Sequence, residues 1–187
     1  MRVFLTTTIL ILGLFSIFFV TFTNANAQEG NLSDEPSSTP SASIVNSYDL
    51  FWPLTAGKTE GDSLYFLKLF NEQLRGWLVF GDTKKADYAV VLGTKRVLEA
   101  EKLLKESKTN PALKALDRAN SQFSSAYSYI KEAASKGKLS TGEIRRDRLI
   151  HVKRLIDYLM TVSPQETYPR LDTVKEKADV ILRDYLP

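Results

Sequence analysis

From residue 62 to the end of this 187-residue chain, apolar residues recur every three or four positions, and this spacing restricts the fold more than any other feature. Residues three and four apart share one face of an α-helix. Five segments show the pattern, and Gly, Asn or Pro separates them. They span about 63–79, 82–107, 111–136, 143–162 and 170–186. No strand-like alternation competes. The sequence therefore predicts an all-α antiparallel bundle of about five amphipathic helices in residues 62–187.

The second and third helices each carry a heptad-like apolar seam with steps of three and four residues. Small side chains in such a seam allow two helices to approach closely. In the second helix the seam is Ala86, Val90, Gly93, Val97, Ala100 and Leu104. In the third it is Ala112, Leu116, Ala119, Phe123, Ala126, Ile130 and Ala133.

The first helix has a different pattern, because its charged residues Lys68, Glu72 and Arg75 form one narrow stripe in an otherwise apolar surface. So broad an apolar surface predicts a helix that is buried on more than one side. The side chain of Asp62 or Ser63 is expected to cap its first turn.

Local signals also predict where two later helices end and begin. Gly137 is placed to end the third helix as a C-terminal glycine cap. The sequence Ser140-Thr141-Gly142-Glu143 matches a capping box and is expected to start the fourth helix.

The amino terminus predicts export. Arg2 precedes an uncharged apolar segment, residues 3–23, and Ala25-Asn26-Ala27 followed by Gln28 is typical of a signal-peptidase site. Residues 1–27 are therefore interpreted as a signal peptide. The alternative is an uncleaved anchor, since residues 3–23 are long enough to cross a bilayer. Both interpretations place the remaining chain outside the cytoplasm, secreted or on the outer side of the membrane.

Two segments separate this region from the bundle. Residues 28–47 are rich in Ser, Pro and acidic residues at their start and predict a disordered linker. Residues 48–61 form an aromatic, proline-containing lead-in segment. Its Tyr48, Phe51 and Trp52 either cover one end of the bundle or form a partner surface, because such side chains often anchor interfaces.

Composition narrows the partners and cofactors. The chain has no cysteine, which excludes disulfides and thiolate metal sites, and its net charge of +3 does not favour nucleic acid. His151 is the single histidine, and position 148 is Arg148, so paired Glu-x-x-His elements for a di-metal site are missing. We therefore expect no metal and no cofactor.

Two enzyme-like fragments precede the first helix. Gly61-Asp62-Ser63-Leu64 spells the nucleophile block of GDSL-type esterases, but a preceding strand, a G-x-N-D block and a D-x-x-H element are all missing from the sequence. Gly57-Lys58-Thr59 resembles the end of a phosphate-binding loop, but the required first glycine is Trp52. No catalytic residue is predicted.

Residues 61–104 resemble an uncharacterised domain family of exported bacterial helical proteins. The residues that match its pattern are Leu64-Tyr65, Leu67-Lys68, Phe80, Asp82, Lys85-Ala86, Arg96 and Glu99. Phe66 stands where the family usually has proline. The resemblance implies a bacterial, exported, helical protein, and it carries over no functional residues because the family has no established activity.

These observations lead to three functional hypotheses. The first is a non-enzymatic extracytoplasmic module that binds or scaffolds an envelope protein or polymer, with membrane contact only through an uncleaved N-terminal segment. The second is a small-molecule or ion sensor with a cavity between the first two helices, where Ala89 and Gly93 leave space. The third is a hydrolase that uses Ser63.

Overall fold

The computed structural model of the chain describes residues 45–140 and 144–185. These residues form six α-helices: α1 (Ser47–Phe51), α2 (Tyr65–Trp77), α3 (Asp82–Lys105), α4 (Thr109–Ser135), α5 (Arg146–Val162) and α6 (Tyr168–Tyr185). A short 3-10 helix, Gln165–Thr167, precedes α6. The described ranges contain no strand, so the predicted all-α bundle of about five long helices is confirmed. The predicted signal segment, with Ala25, Ala27 and Gln28, lies outside the described residues.

The centre of the bundle is the contact between α3 and α4, and it uses the two seams that the sequence predicts. All seven seam residues of α4 are fully buried, and Leu104 is the one seam residue of α3 that is partly exposed. Gly93 is what allows the helices to approach here. A Cβ atom at this position would lie 2.9 Å from the ring of Phe123, which fills the space beside the glycine.

Helices α5 and α6 complete the core. Each contributes buried apolar residues at helical spacing, and they pack against each other and against the central pair. The contributing residues are Leu149, Val152, Leu155, Ile156 and Leu159 of α5, and Leu171, Val174, Ala178 and Ile181 of α6. The single turn α1 packs on α5 through Phe51, which is also buried in the core.

Two of the predicted helix starts are wrong, and the predicted C-terminal cap is right. Helix α2 has no side-chain cap, because the Asp62 carboxylate instead accepts a hydrogen bond from the Thr59 N–H at 2.7 Å. Helix α5 begins at Arg146, beyond the predicted capping box at 140–143, of which 141–143 lie outside the described residues. Gly137 has a φ of 63° and follows the last turn of α4 as expected.

The orientation of α2 also differs from the expectation of burial on more than one side. Lys68 and Glu72 of its charged stripe point toward the bundle, Arg75 is exposed, and most of its apolar residues point away from the bundle. Within the part of the chain that the structure describes, no helix is both long enough and apolar enough to span a membrane.

Candidate binding surface

Helix α2 has two faces of opposite character, and the apolar one is exposed. Phe66 is 63% exposed, Phe70 57% and Trp77 68%. At 100° per residue these three side chains lie on the same side of the helix, opposite Lys68 and Glu72. We call the exposed apolar set the outer face. It comprises Leu64, just before the helix, Phe66, Leu67, Phe70 and Trp77 of the helix, and Leu78 and Phe80 just beyond it.

The other face of α2 rests on two buried charges of α3. Arg96 is 4% exposed and Glu99 is fully buried. Arg96 forms ion pairs with Glu72 of α2 and with Glu99, and Lys68 of α2 pairs with Glu99. We call these four residues, Lys68, Glu72, Arg96 and Glu99, the charged seat. With two cations and two carboxylates, these four side chains have a net charge of zero.

Tyr65 connects the seat to a third helix. Its buried hydroxyl donates a hydrogen bond to Glu99 at 3.0 Å and accepts one from Arg118 of α4 at 2.6 Å. The Arg118 guanidinium also pairs with Glu60, at 2.6 Å, in the segment before α2. The first turn of α2 is therefore held to α3 and α4 by polar groups.

Lys68 extends the network to the lead-in segment. Its ammonium group donates hydrogen bonds to the backbone carbonyls of Ala56 and Lys58, the second at 2.7 Å. Since an ammonium group has three donors, these two bonds and the Glu99 contact satisfy it completely.

Burial and charge shift the pKa values of this cluster. Burial, reinforced by the nearby Glu99 carboxylate, raises the pKa of Tyr65 to about 12. Burial alone would lower the pKa of Arg96, but the carboxylates of Glu99 and Glu72 outweigh it and raise the pKa. Burial lowers the pKa of Lys68 despite its bond to Glu99.

The buried charges of α3 explain why α2 turns its apolar face outward. An unpaired buried charge costs several kcal/mol, so Arg96 and Glu99 require partners of opposite sign. Lys68 and Glu72 supply those partners only when the charged stripe of α2 faces α3. A 13-residue helix cannot bury its opposite side on the same support, so the outer face remains exposed.

An open groove of about 780 Å³ lies beside the seat, between α2, α3 and α4. Ala89 and Tyr88 line it on α3, and the Tyr88 hydroxyl donates to the Glu72 backbone carbonyl at 2.6 Å. The Glu72 Oε1 atom is buried at its edge without a hydrogen bond, 3.6 Å from the Lys95 ammonium. Gly93 does not provide this space, because Phe123 occupies the room beside it.

The predicted partner surface on the lead-in segment is only partly exposed. Phe51 is buried in the core, so it covers the bundle and is not accessible to a partner. Tyr48 and Trp52 are exposed, and their rings lie 4.9 Å apart.

The esterase-like fragment lies in an exposed turn. Ser63 is exposed just before α2, and the described residues place no strand in front of it. His151 lies on α5, where its Nδ1 is 2.8 Å from the Leu50 carbonyl and so carries the proton. Among the described residues no cluster of three or more acidic or histidine side chains is placed to hold a metal ion.

The charged seat is the feature that sequence reasoning did not identify. Two sequence signals indicate it. Lys68 and Glu72 are charged residues four positions apart in an otherwise apolar helix, and Arg96 and Glu99 are charged residues close to the buried seam residue Val97. Tyr65, Lys68, Arg96 and Glu99 also belong to the family pattern. Four of the ten residues that carry the resemblance thus help to hold α2 in place.

The fold and this site define a class: a helical bundle that holds one amphipathic helix on a buried ionic network with its apolar face outward. Residues 57–179 match the family described as "Domain of unknown function (DUF5667)", and the chain belongs to that family. The expected membership in an uncharacterised family is confirmed. Comparison with curated proteins and with solved structures gave no match.

Proposed function

We propose that the protein is a non-enzymatic extracytoplasmic module that binds a component of the cell envelope through the outer face of α2. The observation that carries the proposal is the exposure of this face, including Phe66, Phe70 and Trp77. Large contiguous apolar patches are uncommon on monomeric soluble proteins and mark interaction sites. Aromatic residues of this kind dominate the binding free energy of interfaces.

The charged seat keeps this face exposed, because it holds the opposite side of α2 against α3. Rotating α2 to bury Phe70 would remove Lys68 and Glu72 from Arg96 and Glu99. The resulting unpaired charges cost more free energy than the burial of one aromatic side chain returns. The module therefore presents its binding surface without a conformational change.

The extracytoplasmic location rests on the sequence of residues 1–27, with its basic start, apolar segment and A-x-A end. A protein at this location meets components of the cell envelope, so the partner is expected among them. The exposed pair Tyr48 and Trp52 is a second, smaller contact region for the same partner.

Site-specific photocrosslinking in intact cells tests the proposal. A photoreactive phenylalanine analogue at position 70 should form adducts with an envelope component. The same analogue at Glu176, an exposed residue of α6, should not. Equal adduct formation at both positions, or none at position 70, would exclude the outer face as the binding surface. Sequencing the mature amino terminus of the same sample determines whether residues 1–27 are removed.

The groove beside the seat supports a second candidate function, the sensing of a small molecule or ion. The buried Glu72 Oε1 accepts no hydrogen bond, although the Lys95 ammonium lies 3.6 Å from it, and such atoms often bind a ligand or water. A ligand that donates to this atom should raise the melting temperature of the native protein but not that of Glu72→Gln. Equal shifts, or none across a broad metabolite and metal screen, would remove this candidate.

A further inference from the structure

We propose that the occupant of the outer face is the surface of a lipid bilayer, with α2 lying in the interfacial plane. The inference rests on the proposed function, because it identifies the chemical class of the envelope component. It goes beyond the sequence expectation that only the N-terminal segment contacts the membrane.

The shape of the outer face fits a bilayer better than a folded partner. Phe66, Phe70 and Trp77 project from α2 and Leu78 and Phe80 follow it; Trp77, Leu78 and Phe80 are each more than two-thirds exposed, although Trp77 and Phe80 also line the open groove. A folded protein partner would need a groove that matches this row of exposed side chains. A bilayer interface accepts it without one, and an amphipathic helix there buries its apolar face about 5–10 Å deep.

The charges around the outer face also favour a lipid surface. Among residues 64–80 no exposed side chain is acidic, and the one exposed charged group, Arg75, lies on the side of α2 that carries Lys68 and Glu72. Lys58 and Lys84 are exposed just before and just after this stretch. Basic groups beside an apolar face are attracted to anionic headgroups, while acidic groups would be repelled.

The polar side of α2 suits an interfacial helix because two of its three charges, Lys68 and Glu72, already have partners. Lys68 and Glu72 are paired within the bundle, so insertion of the outer face removes neither of them from a partner. The helix can therefore meet the bilayer while it remains attached to α3.

The length of chain before Val45 sets an upper limit on the distance between the described residues and an N-terminal anchor. Twenty-one residues, 24–44, separate the predicted apolar segment 3–23 from Val45. The fully extended length of 21 residues is about 70 Å. In the alternative in which residues 3–23 remain in the membrane, Val45 would lie no farther than this length from the bilayer.

Lipid contact can be measured on the full chain in vesicles, because the sequence has no cysteine. A single cysteine at position 70 (Phe70→Cys) is labelled with a polarity-sensitive fluorophore, and the chain is reconstituted into phosphatidylcholine–phosphatidylglycerol vesicles. The matched control is Glu176→Cys. We expect a blue shift at position 70 and quenching by nitroxide-labelled lipids, with neither effect at position 176.

A second variant distinguishes lipid contact made by α2 from lipid contact made by the N-terminal segment. The label is placed at position 77 (Trp77→Cys) with and without the pair Phe66→Ser and Phe70→Ser, and circular dichroism verifies that each chain is folded. Loss of lipid quenching in the serine variant, with the chain still in the vesicles, supports the proposal. Quenching that is unchanged by the serines overturns it.

The remaining outcomes distinguish a bilayer from a second copy of the chain and from another protein as the occupant of the outer face. A blue shift without lipid quenching, accompanied by energy transfer between labelled copies, assigns the face to a second copy and overturns the lipid proposal. No change at position 70 also overturns it. A protein adduct at position 70 in intact cells would then preserve the proposed envelope-binding function, whereas the loss of both signals removes both.

Discussion

Glu72 of α2 and Arg96 of α3 form a nearly buried ion pair on one side of a helix whose other side exposes Phe70 to solvent. This pair, together with Lys68 and Glu99, fixes the rotation of α2 about its own axis. Which residues form the outer face follows directly from that rotation.

Removing a charge from the seat should destabilise the fold strongly. Glu99 is fully buried and accepts hydrogen bonds from Lys68, Arg96 and Tyr65. The substitution Glu99→Gln leaves two buried cations undercompensated, and we expect it to lower the free energy of unfolding by about 3 kcal/mol. Urea unfolding measures this value. The control Glu176→Gln, at an exposed site, should change it by less than about 0.5 kcal/mol. Equal effects would mean that the seat is not buried.

The outer face should tolerate polar substitution. Because Phe66 and Phe70 are exposed, replacing each with serine should alter the free energy of unfolding by no more than about 0.5 kcal/mol. The matched substitution Phe123→Ala removes a fully buried ring and should cost about 3–5 kcal/mol. A comparable cost at Phe70 would show that α2 is rotated relative to the orientation described.

Two glycines in helices should respond to alanine in opposite directions. At Gly93 the new Cβ would lie 2.9 Å from the Phe123 ring, so Gly93→Ala should lower the free energy of unfolding by about 1–3 kcal/mol. At Gly76 the nearest atom is 3.4 Å away, and Gly76→Ala should stabilise α2 by up to about 1 kcal/mol. Thermal unfolding compares the two. Adding Phe123→Leu should reduce the cost of Gly93→Ala if the ring is the cause.

The raised pKa of Tyr65 should appear as a loss of stability in alkali. The unfolded tyrosine ionises near pH 10, whereas the folded one does so at about 12. Between these values the unfolded state has lost a proton that the folded state keeps. Stability therefore falls as pH rises through this window, by at most about 1.4 kcal/mol per pH unit, and is unaffected by Tyr65 below it.

The difference between the native protein and Tyr65→Phe isolates this effect from the other tyrosines. Ultraviolet difference absorbance of tyrosinate should place the missing ionisation near pH 12. An ionisation near pH 10 would indicate that the Tyr65 hydroxyl is in contact with water and not with Glu99 and Arg118.

Much of the bundle could be predicted from the sequence because its core follows helical periodicity. The seam residues of α3 and α4, among them Val90, Phe123 and Ile130, are spaced at three and four residues, and all but Leu104 are buried. The Gly137 cap was predictable for a local reason, since a positive φ favours glycine. Helix starts were less predictable, because Asp62 bonds to Thr59 in a turn instead of capping α2.

The sequence by itself determined that α2 is amphipathic, with Lys68 and Glu72 on one side and Phe66 and Phe70 on the other. It did not determine which side faces the bundle, since periodicity describes the faces of a helix but not their neighbours. The tertiary structure decided this by placing Arg96 and Glu99 of α3 in the interior. Buried charges need partners of opposite sign, and this requirement outweighs the burial of an apolar face.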